Sequence, residues 1–485
     1  MKQWFYTIHG WLGLNFGLML FIVCLSGTIA VVSHEIDWLC TPSLRVTPTE
    51  TRASWGTMTN AVRAAYPDSE LQYVNAPLGA WFACEFILKS PARVSKRVYV
   101  DPYTGSVKGH APWFNAQRFF RDFHRRFFWY SWLGIWVVAA FGFVLLGAVA
   151  SGLAFYKRWW SKLFVLRRRK GGRIFFSDFH RLVGVWTFLF ALLISVTGIW
   201  YLVEIPIGWA NLYERPSLPK VPRTTLDSLQ PNSSRLSPDA WVDAANEAMP
   251  DLQIRSISFP DSFSRPAGID GQASAWLVRN RANRVLIDPY TGELLFKQRA
   301  ENLPLLARWV DTADELHFGT FGGLPTKLIW FVFGIALSAL MPTGAYLWVR
   351  RRTQMADGIR KRLKADHNQP FAAELVVQWQ TRRNVAIGVL STAGIWLLAI
   401  GAIWSALARQ LNEAGPEYGW QSLGSPGAIV VYGSFLLLIL AATIVWYRVV
   451  WFPRLATVSP LESDSGKSSE ALSAEGPDDR QIGLS

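Results

Sequence analysis

Only three of the 485 residues are cysteine (Cys24, Cys40, Cys84). That is too few for a disulfide framework, and short of the four thiolates that a cysteine-built zinc or iron–sulfur centre normally takes. Cys40 and Cys84 would fall on one side of a membrane, so a disulfide between them is left open. Charge is also scarce, at 17% of positions against 51% hydrophobic, a balance too apolar for a soluble multidomain enzyme. No nucleophile motif, phosphate loop, flavin fingerprint or Cys-x-x-Cys-His occurs, which argues against a hydrolase, a self-contained dehydrogenase and covalently attached haem. Histidine is rare as well, with seven in the chain.

What the sequence does have is long apolar runs. Six approach the roughly 20 residues that cross a hydrocarbon core: Trp11–Val32, Trp132–Tyr156, Arg181–Val203, Leu328–Val349, Val385–Ala408 and Ala428–Val450. None carries an acid or a lysine in its middle, which speaks against a transporter, whose substrate sites commonly need one. The net charge of +14 comes from basic residues clustered at the ends of these runs, so nucleic acid is not the expected partner; membrane lipid is. Lys157 to Arg173 and Arg350 to Lys364 supply the basic loops, and the positive-inside rule puts them, and with them both chain ends, in the cytoplasm. Tryptophans at span ends read as interfacial anchors. The polar tail from about Ser459 reads as disordered.

The chain repeats itself. Arg97–Gly109 and Arg284–Phe296 both contain Asp-Pro-Tyr-Thr-Gly, a strand ending in a tight turn, and a helix-like stretch precedes each, Trp55–Tyr66 and Ala240–Met249. The flanking spans repeat too. His9 is followed four residues on by Gly13 and eighteen on by Gly27; His180 is followed at the same intervals by Gly184 and Gly198. His124 precedes Ser151-Gly152 as His317 precedes Thr343-Gly344, with 28 and 27 residues from histidine to glycine. The unit is span, external α+β module, histidine, span. It runs over 1–170 (module about 41–112) and again over 171–364 (module about 206–305), followed by a two-span extension, 365–452, and the tail, 453–485.

Two halves of the same direction are related by an axis along the membrane normal, so equivalent residues sit at equal depth. His9 and His180 are expected to meet near the cytoplasmic surface, and His124 and His317 near the external one. A facing pair of neutral imidazoles in an apolar bundle suits the two axial positions of a haem iron, whose porphyrin supplies four further nitrogens. Gly13 and Gly184 would leave room for the macrocycle, and Arg121, Arg125 and Arg126 could pair with propionates. Imidazoles at an interface are often merely half-wet, and zinc is a rival, though two histidines per layer make a poor zinc shell. His34, at the external end of the first span, has no repeat partner but could approach the external site; His110 and His367 read as surface residues.

These motifs, with Leu316-His317-Phe318-Gly319 and His124-Arg125-Arg126, resemble the PepSY-associated transmembrane family over about Met1–Lys364. That family includes inner-membrane ferric-siderophore reductases. The resemblance implies a membrane α-helical fold of six transmembrane helices with two small periplasmic α+β PepSY modules in parallel duplication. It also implies two b haems, with His9, His180, His124 and His317 as iron ligands and His34 a further candidate, and reduction of a ferric-siderophore or other periplasmic iron chelate. The electron donor would be external, quinol or a cytoplasmic reductase. Trp81, Phe82, Trp113 and Phe114 are candidates to face the substrate or to pack module against membrane. Two other functions remain at this level: a non-enzymatic anchor whose modules bind peptides or inhibit a protease, and an iron or siderophore transporter without redox activity.

Overall fold

The fold is described from a computed structural model, over residues 2–91, 95–156, 163–212, 216–230, 233–275, 277–365, isolated positions between 390 and 404, and 423–451. The chain opens on helices α1 (Lys2–Asn15), α2 (Gly17–Val31) and α3 (Ser33–Cys40). Helix α4 (Trp55–Ala65) and strands β1 (Glu70–Asn75), β2 (Cys84–Lys89), β3 (Ser95–Val100) and β4 (Val107–Pro112) form the first α+β unit. Helices α5 (Ala116–Arg126) and α6 (Trp132–Phe155) return to the bundle. The second half repeats this with α7 (Gly172–Trp186) and α8 (Phe188–Trp209), then a short α9 (Arg223–Ser228) and α10 (Pro238–Ala248). Strands β5 (Gln253–Ser258), β6 (Ala267–Gln272), β7 (Asn283–Ile287) and β8 (Leu294–Gln298) follow. Helices α11 (Leu305–Phe318), α12 (Leu324–Ala365) and α13 (Pro426–Trp446) complete the described chain.

Among the described residues four helical stretches are long and apolar enough to cross a membrane: Trp132–Phe155, Phe188–Trp209, Leu324–Gln354 and Pro426–Val450. A fifth is counted if α1 and α2 act as one broken span. The expected span Val385–Ala408 lies for the most part outside the described residues. Two expectations are corrected. Trp11–Val32 is not one continuous helix, because the chain bends by 68° between α1 and α2. Arg181–Val203 is likewise interrupted, at Thr187 between α7 and α8. The break falls seven residues after His9 and seven after His180, at Phe16 and Thr187. Side chains compete with the backbone there: Asn15 Nδ2 donates to the Trp11 carbonyl at 2.8 Å, and Thr187 Oγ1 to that of Val183 at 2.8 Å.

The two α+β units share one antiparallel sheet of order β4-β3-β2-β1-β5-β6-β7-β8, joined where β1 pairs with β5. Each twin turn is built as its residues dictate. Asp101 Oδ1 accepts from the Tyr103 amide and Asp288 Oδ1 from that of Tyr290, both at 2.9 Å, while Gly105 and Gly292 take φ of +74° and +80°. Helices α4 and α10 start on the capping hydroxyls of Ser54 and Ser237. They meet on one face of the sheet, where Asp239 accepts from Ser54 Oγ at 2.8 Å and from the Gly56 amide at 2.9 Å. Val74, Phe86, Leu88, Val98, Ile257, Ile269, Val285 and Ile287 bury that face under both helices. A second core fills the bundle, with Leu18, Ile22, Phe120, Phe123, Leu337 and Phe435 at its centre.

Candidate functional site

The helices that flank the sheet carry one pair of histidines and the helices at the opposite end of the bundle the other. His124 is in the last turn of α5 and His317 in the last turn of α11. Helix α5 is held at its start by Asn115, which accepts from the Arg118 amide at 3.0 Å, and by Asp37 of α3, which accepts from Ala116 and Gln117 amides at 2.9 Å each. Helix α11 is ended by Gly319 at φ +66°. Ring centroids of His124 and His317 lie 6.1 Å apart. At the far end, His9 on α1 and His180 on α7 lie 6.3 Å apart. Both pairings expected from the repeat are thus brought together, one imidazole from each half in each layer.

Every one of the four rings is oriented through Nδ1. His9 Nδ1 sits 2.9 Å from the Ala148 carbonyl and 3.4 Å from Ser151 Oγ. His124 Nδ1 sits 2.9 Å from the Val23 carbonyl and 3.3 Å from Ser26 Oγ. His180 Nδ1 is 3.0 Å from Thr343 Oγ1, and His317 Nδ1 is 2.8 Å from Thr197 Oγ1. The threonine hydroxyls spend their own protons on helix carbonyls, Thr343 on Ala339 at 2.8 Å and Thr197 on Leu193 at 2.8 Å, so they accept from the imidazoles. Backbone carbonyls can only accept. All four rings are therefore Nδ1–H tautomers with the Nε2 lone pair free, as a metal-ligating histidine requires. Burial holds His124 down to about 4 and His317 to about 3, the latter also lowered by His124 beside it, so both stay neutral.

The four hydroxyls belong to four hydroxyl–glycine pairs: Ser26-Gly27, Ser151-Gly152, Thr197-Gly198 and Thr343-Gly344. Three of the glycines let the rings in. A Cβ on Gly27 would lie 2.6 Å from His124 Cε1, one on Gly344 3.2 Å from His180 Cε1, and one on Gly152 3.4 Å from His9 Cε1. The sequence displays these pairs as repeat landmarks; their role as ring holders is visible only once the helices are packed.

Two imidazoles on opposite sides of one metal, bonded at about 2.0 Å through nitrogens about 1.1 Å from the ring centres, have centroids about 6.2 Å apart. Both pairs have that spacing. Among the described residues no three histidine, cysteine or acidic side chains converge on a metal-sized site, so each pair offers two imidazole nitrogens. Gly13 and Gly184, one turn after His9 and His180, border open space, with nothing within 4 Å of an added Cβ; Gly198 does the same beside His317's partner Thr197. Donor set, tautomers and flanking space fit a flat macrocycle that brings its own four equatorial nitrogens. Along α12, Gly334 lies against Thr28, next to the glycine that His124 touches, and Gly344 lies against His180. Ten residues of helix separate the two layers by about 15 Å.

Other candidates fall elsewhere. His34 on α3 is in ring contact with neither pair among the described residues; burial pushes it down to about 4, with Lys327, Glu85, Glu35 and Arg97 as its charged neighbours. Lys327 there donates to Glu35 at 2.6 Å. Arg121 and Arg125 share α5 with His124, whereas Arg126 lies 3.9 Å from Asp122 and over the Tyr130 ring. Arg97 and Arg118 both lie over the Trp113 ring, Phe82 packs on Trp38, Phe114 joins the α13 aromatic cluster, and Trp81 is exposed. Cys24, Cys40 and Cys84 are free thiols. His110 Nδ1 sits 3.1 Å from the Tyr66 hydroxyl, and His367 lies outside the described residues.

A protein of Pseudomonas aeruginosa, itself uncharacterized, is 26% identical over 261 residues, a match covering 50% of this chain and 65% of that protein, so the chain spans a little under two thirds of its relative's length. The family described as the PepSY-associated TM region matches residues 6–351, which takes in both halves of the repeat and all four paired histidines but not α13. The chain belongs to the PepSY-associated TM region family.

Proposed function

We propose that this protein is an inner-membrane di-haem b reductase that passes electrons across the bilayer to a ferric chelate, a ferric-siderophore above all, on the side of the β-sheet. In this reading His9 and His180 hold one haem, His124 and His317 the other, and the α+β units are periplasmic PepSY modules. Six spans, with Val385–Ala408 the fifth, leave both chain ends in the cytoplasm, where the basic loops belong. The observation that carries the reading is the shared geometry of four histidines: every Nδ1 is committed to a hydrogen bond, which leaves Nε2 as the lone-pair nitrogen, and the rings lie in two pairs whose centroids are 6.3 and 6.1 Å apart, the spacing of two imidazoles on a common metal. A peptide-binding anchor has no use for that arrangement.

Bound b haem supplies a one-electron couple, tuned by its ligands and burial. The chain's own residues do the rest. Ser26, Ser151, Thr197 and Thr343 keep the four imidazoles neutral, oriented and basic at Nε2. The apolar bundle around Leu18, Ile22 and Leu337 keeps water from the interval between the layers. On the sheet side, reducing iron(III) to iron(II) weakens hard-oxygen chelation and frees the metal. The donor at the far side is a quinol or a cytoplasmic reductase, since the sequence carries no nucleotide-binding signature.

A reduced-minus-oxidised spectrum of the purified protein with a haem count tests this. Two b haems per chain are expected, one lost in His9→Ala and in His180→Ala, the other in His124→Ala and in His317→Ala. A folded, colourless protein would remove the proposal, and loss of the same haem in all four variants would remove the two-layer arrangement.

A further inference from the structure

Beside the His9–His180 pair stand two polar groups that the fold leaves without partners. The Tyr156 hydroxyl and Arg181 Nε are both buried and make no hydrogen bond. Buried donors seldom stay unpaired without reason. The two are neighbours, with the Arg181 guanidinium carbon 5.6 Å from the centre of the Tyr156 ring.

Both are tied to the ligand pair. Tyr156 lies one turn beyond Gly152, its amide donating to the Gly152 carbonyl at 3.2 Å, and Gly152 is the residue against which His9 packs. Phe155, just before it, sets its ring edge against His9 at 5.5 Å. Arg181 directly follows His180. Its Nη2 donates to Asp178 Oδ1 at 2.9 Å, and Asp178 is itself gripped by Arg167, whose Nε and Nη2 donate to it at 2.8 and 2.9 Å. The guanidinium is thereby held in one orientation with its Nε edge unused. Two guanidiniums against one carboxylate leave the cluster with a positive charge to spare.

Two unused donors, one cationic, call for an anionic acceptor with more than one oxygen. We infer that Tyr156 and Arg181 are the receptor for the carboxylate edge of the ring system seated between His9 and His180, an inference that rests on the haem reading above. The same chemistry would suit a lipid phosphate, and the experiment separates the two. The arrangement is not duplicated: in the other half the positions equivalent to Tyr156 and Arg181 are Trp348, whose indole offers one uncharged N–H, and Gly10, which offers no side-chain donor. The far-side ring is accordingly held by one carboxylate edge in one orientation.

The test uses full-length protein carrying His124→Ala and His317→Ala, made in haem-starved cells so that only the His9–His180 site can load. It is titrated with iron protoporphyrin IX and, separately, with its dimethyl ester, and binding is read from the Soret band. The free acid is expected to bind tighter than the ester, on the order of tenfold, as one charge-assisted hydrogen-bonded contact supplies. Tyr156→Phe, which leaves the Asp178–Arg181 pair untouched, and Arg181→Gln should each shrink that preference. A parent protein indifferent to esterification overturns the inference, as does a preference that survives both substitutions. Loss of a co-purifying anionic lipid in the variants, seen by native mass spectrometry with the ester preference intact, assigns the pair to a lipid phosphate and also overturns it. A parent that takes up neither porphyrin removes the haem reading itself.

Discussion

An imidazole becomes a ligand when one nitrogen is tied down and the other is kept free, and in this chain a hydroxyl or a helix carbonyl does the tying each time. Thr197 shows the arrangement at its plainest. Its proton goes to Leu193, and its lone pair takes the His317 Nδ1–H at 2.8 Å. Thr197→Val keeps the shape and removes the acceptor, so affinity for the haem proposed on the sheet side should fall on the order of 10- to 100-fold while the one proposed on the far side is unaffected. Haem titration followed by difference spectroscopy measures it, Thr197→Ser should restore binding, and two haems of unchanged affinity in Thr197→Val would show that the hydroxyl does not position the ring. The four histidines and their pairing are legible in the sequence, because a duplication places equivalent residues at equal depth. The ring holders are only half legible. Ser26, Ser151, Thr197 and Thr343 recur at fixed intervals before glycine, but which ring each hydroxyl meets depends on helix packing.

At the scale of elements, the first and third apolar runs do not cross as straight helices. Within the apolar run of residues 11–32 a single polar Asn15 precedes the 68° bend, and one such residue does not by itself mark a break. The bend depends on Asn15 capturing a carbonyl and on Trp446 of α13 packing 3.0 Å from where a Gly17 Cβ would stand. Helix α13, outside the matched region of the family, also stacks Tyr432 on Phe119 at 4.6 Å and sets Phe435 edge-on to Phe120 and Phe123 at 5.2 Å. Phe123 adjoins His124. The added helix thus braces the helix that carries one histidine of the sheet-side pair and has no counterpart on α11 among the described residues. Phe435→Ala should open a cavity costing about 3 kcal/mol. The expected result is a lower melting temperature in detergent and a shifted redox midpoint for the proposed sheet-side haem alone; equal shifts in both proposed haems would argue against a local brace.

Across the whole molecule, the two α+β units are one sheet. Strand β1 pairs with β5 so that Asn75 stands opposite Ser256 and Val74 opposite Ile257, and the helices over the two units meet through Asp239. Cysteines placed at Asn75 and Ser256 fall within disulfide reach and should cross-link under mild oxidation. Proteolytic nicking between the two positions then yields fragments that separate only after reduction; separation without reduction would show that the units do not pair. Composition, periodicity and repetition determined that the chain lies in a membrane, that it is a duplication, and which four histidines form two layers, because each of these follows from local pattern and symmetry. Only the tertiary structure decided the broken first helices, the tautomer of each imidazole, the joining of two units into one sheet and the unpaired Tyr156 and Arg181. Those depend on contacts between residues distant in the chain, such as Ser26 with His124 and Ser54 with Asp239, or on small local competitions for a backbone carbonyl, to which a one-dimensional pattern is blind.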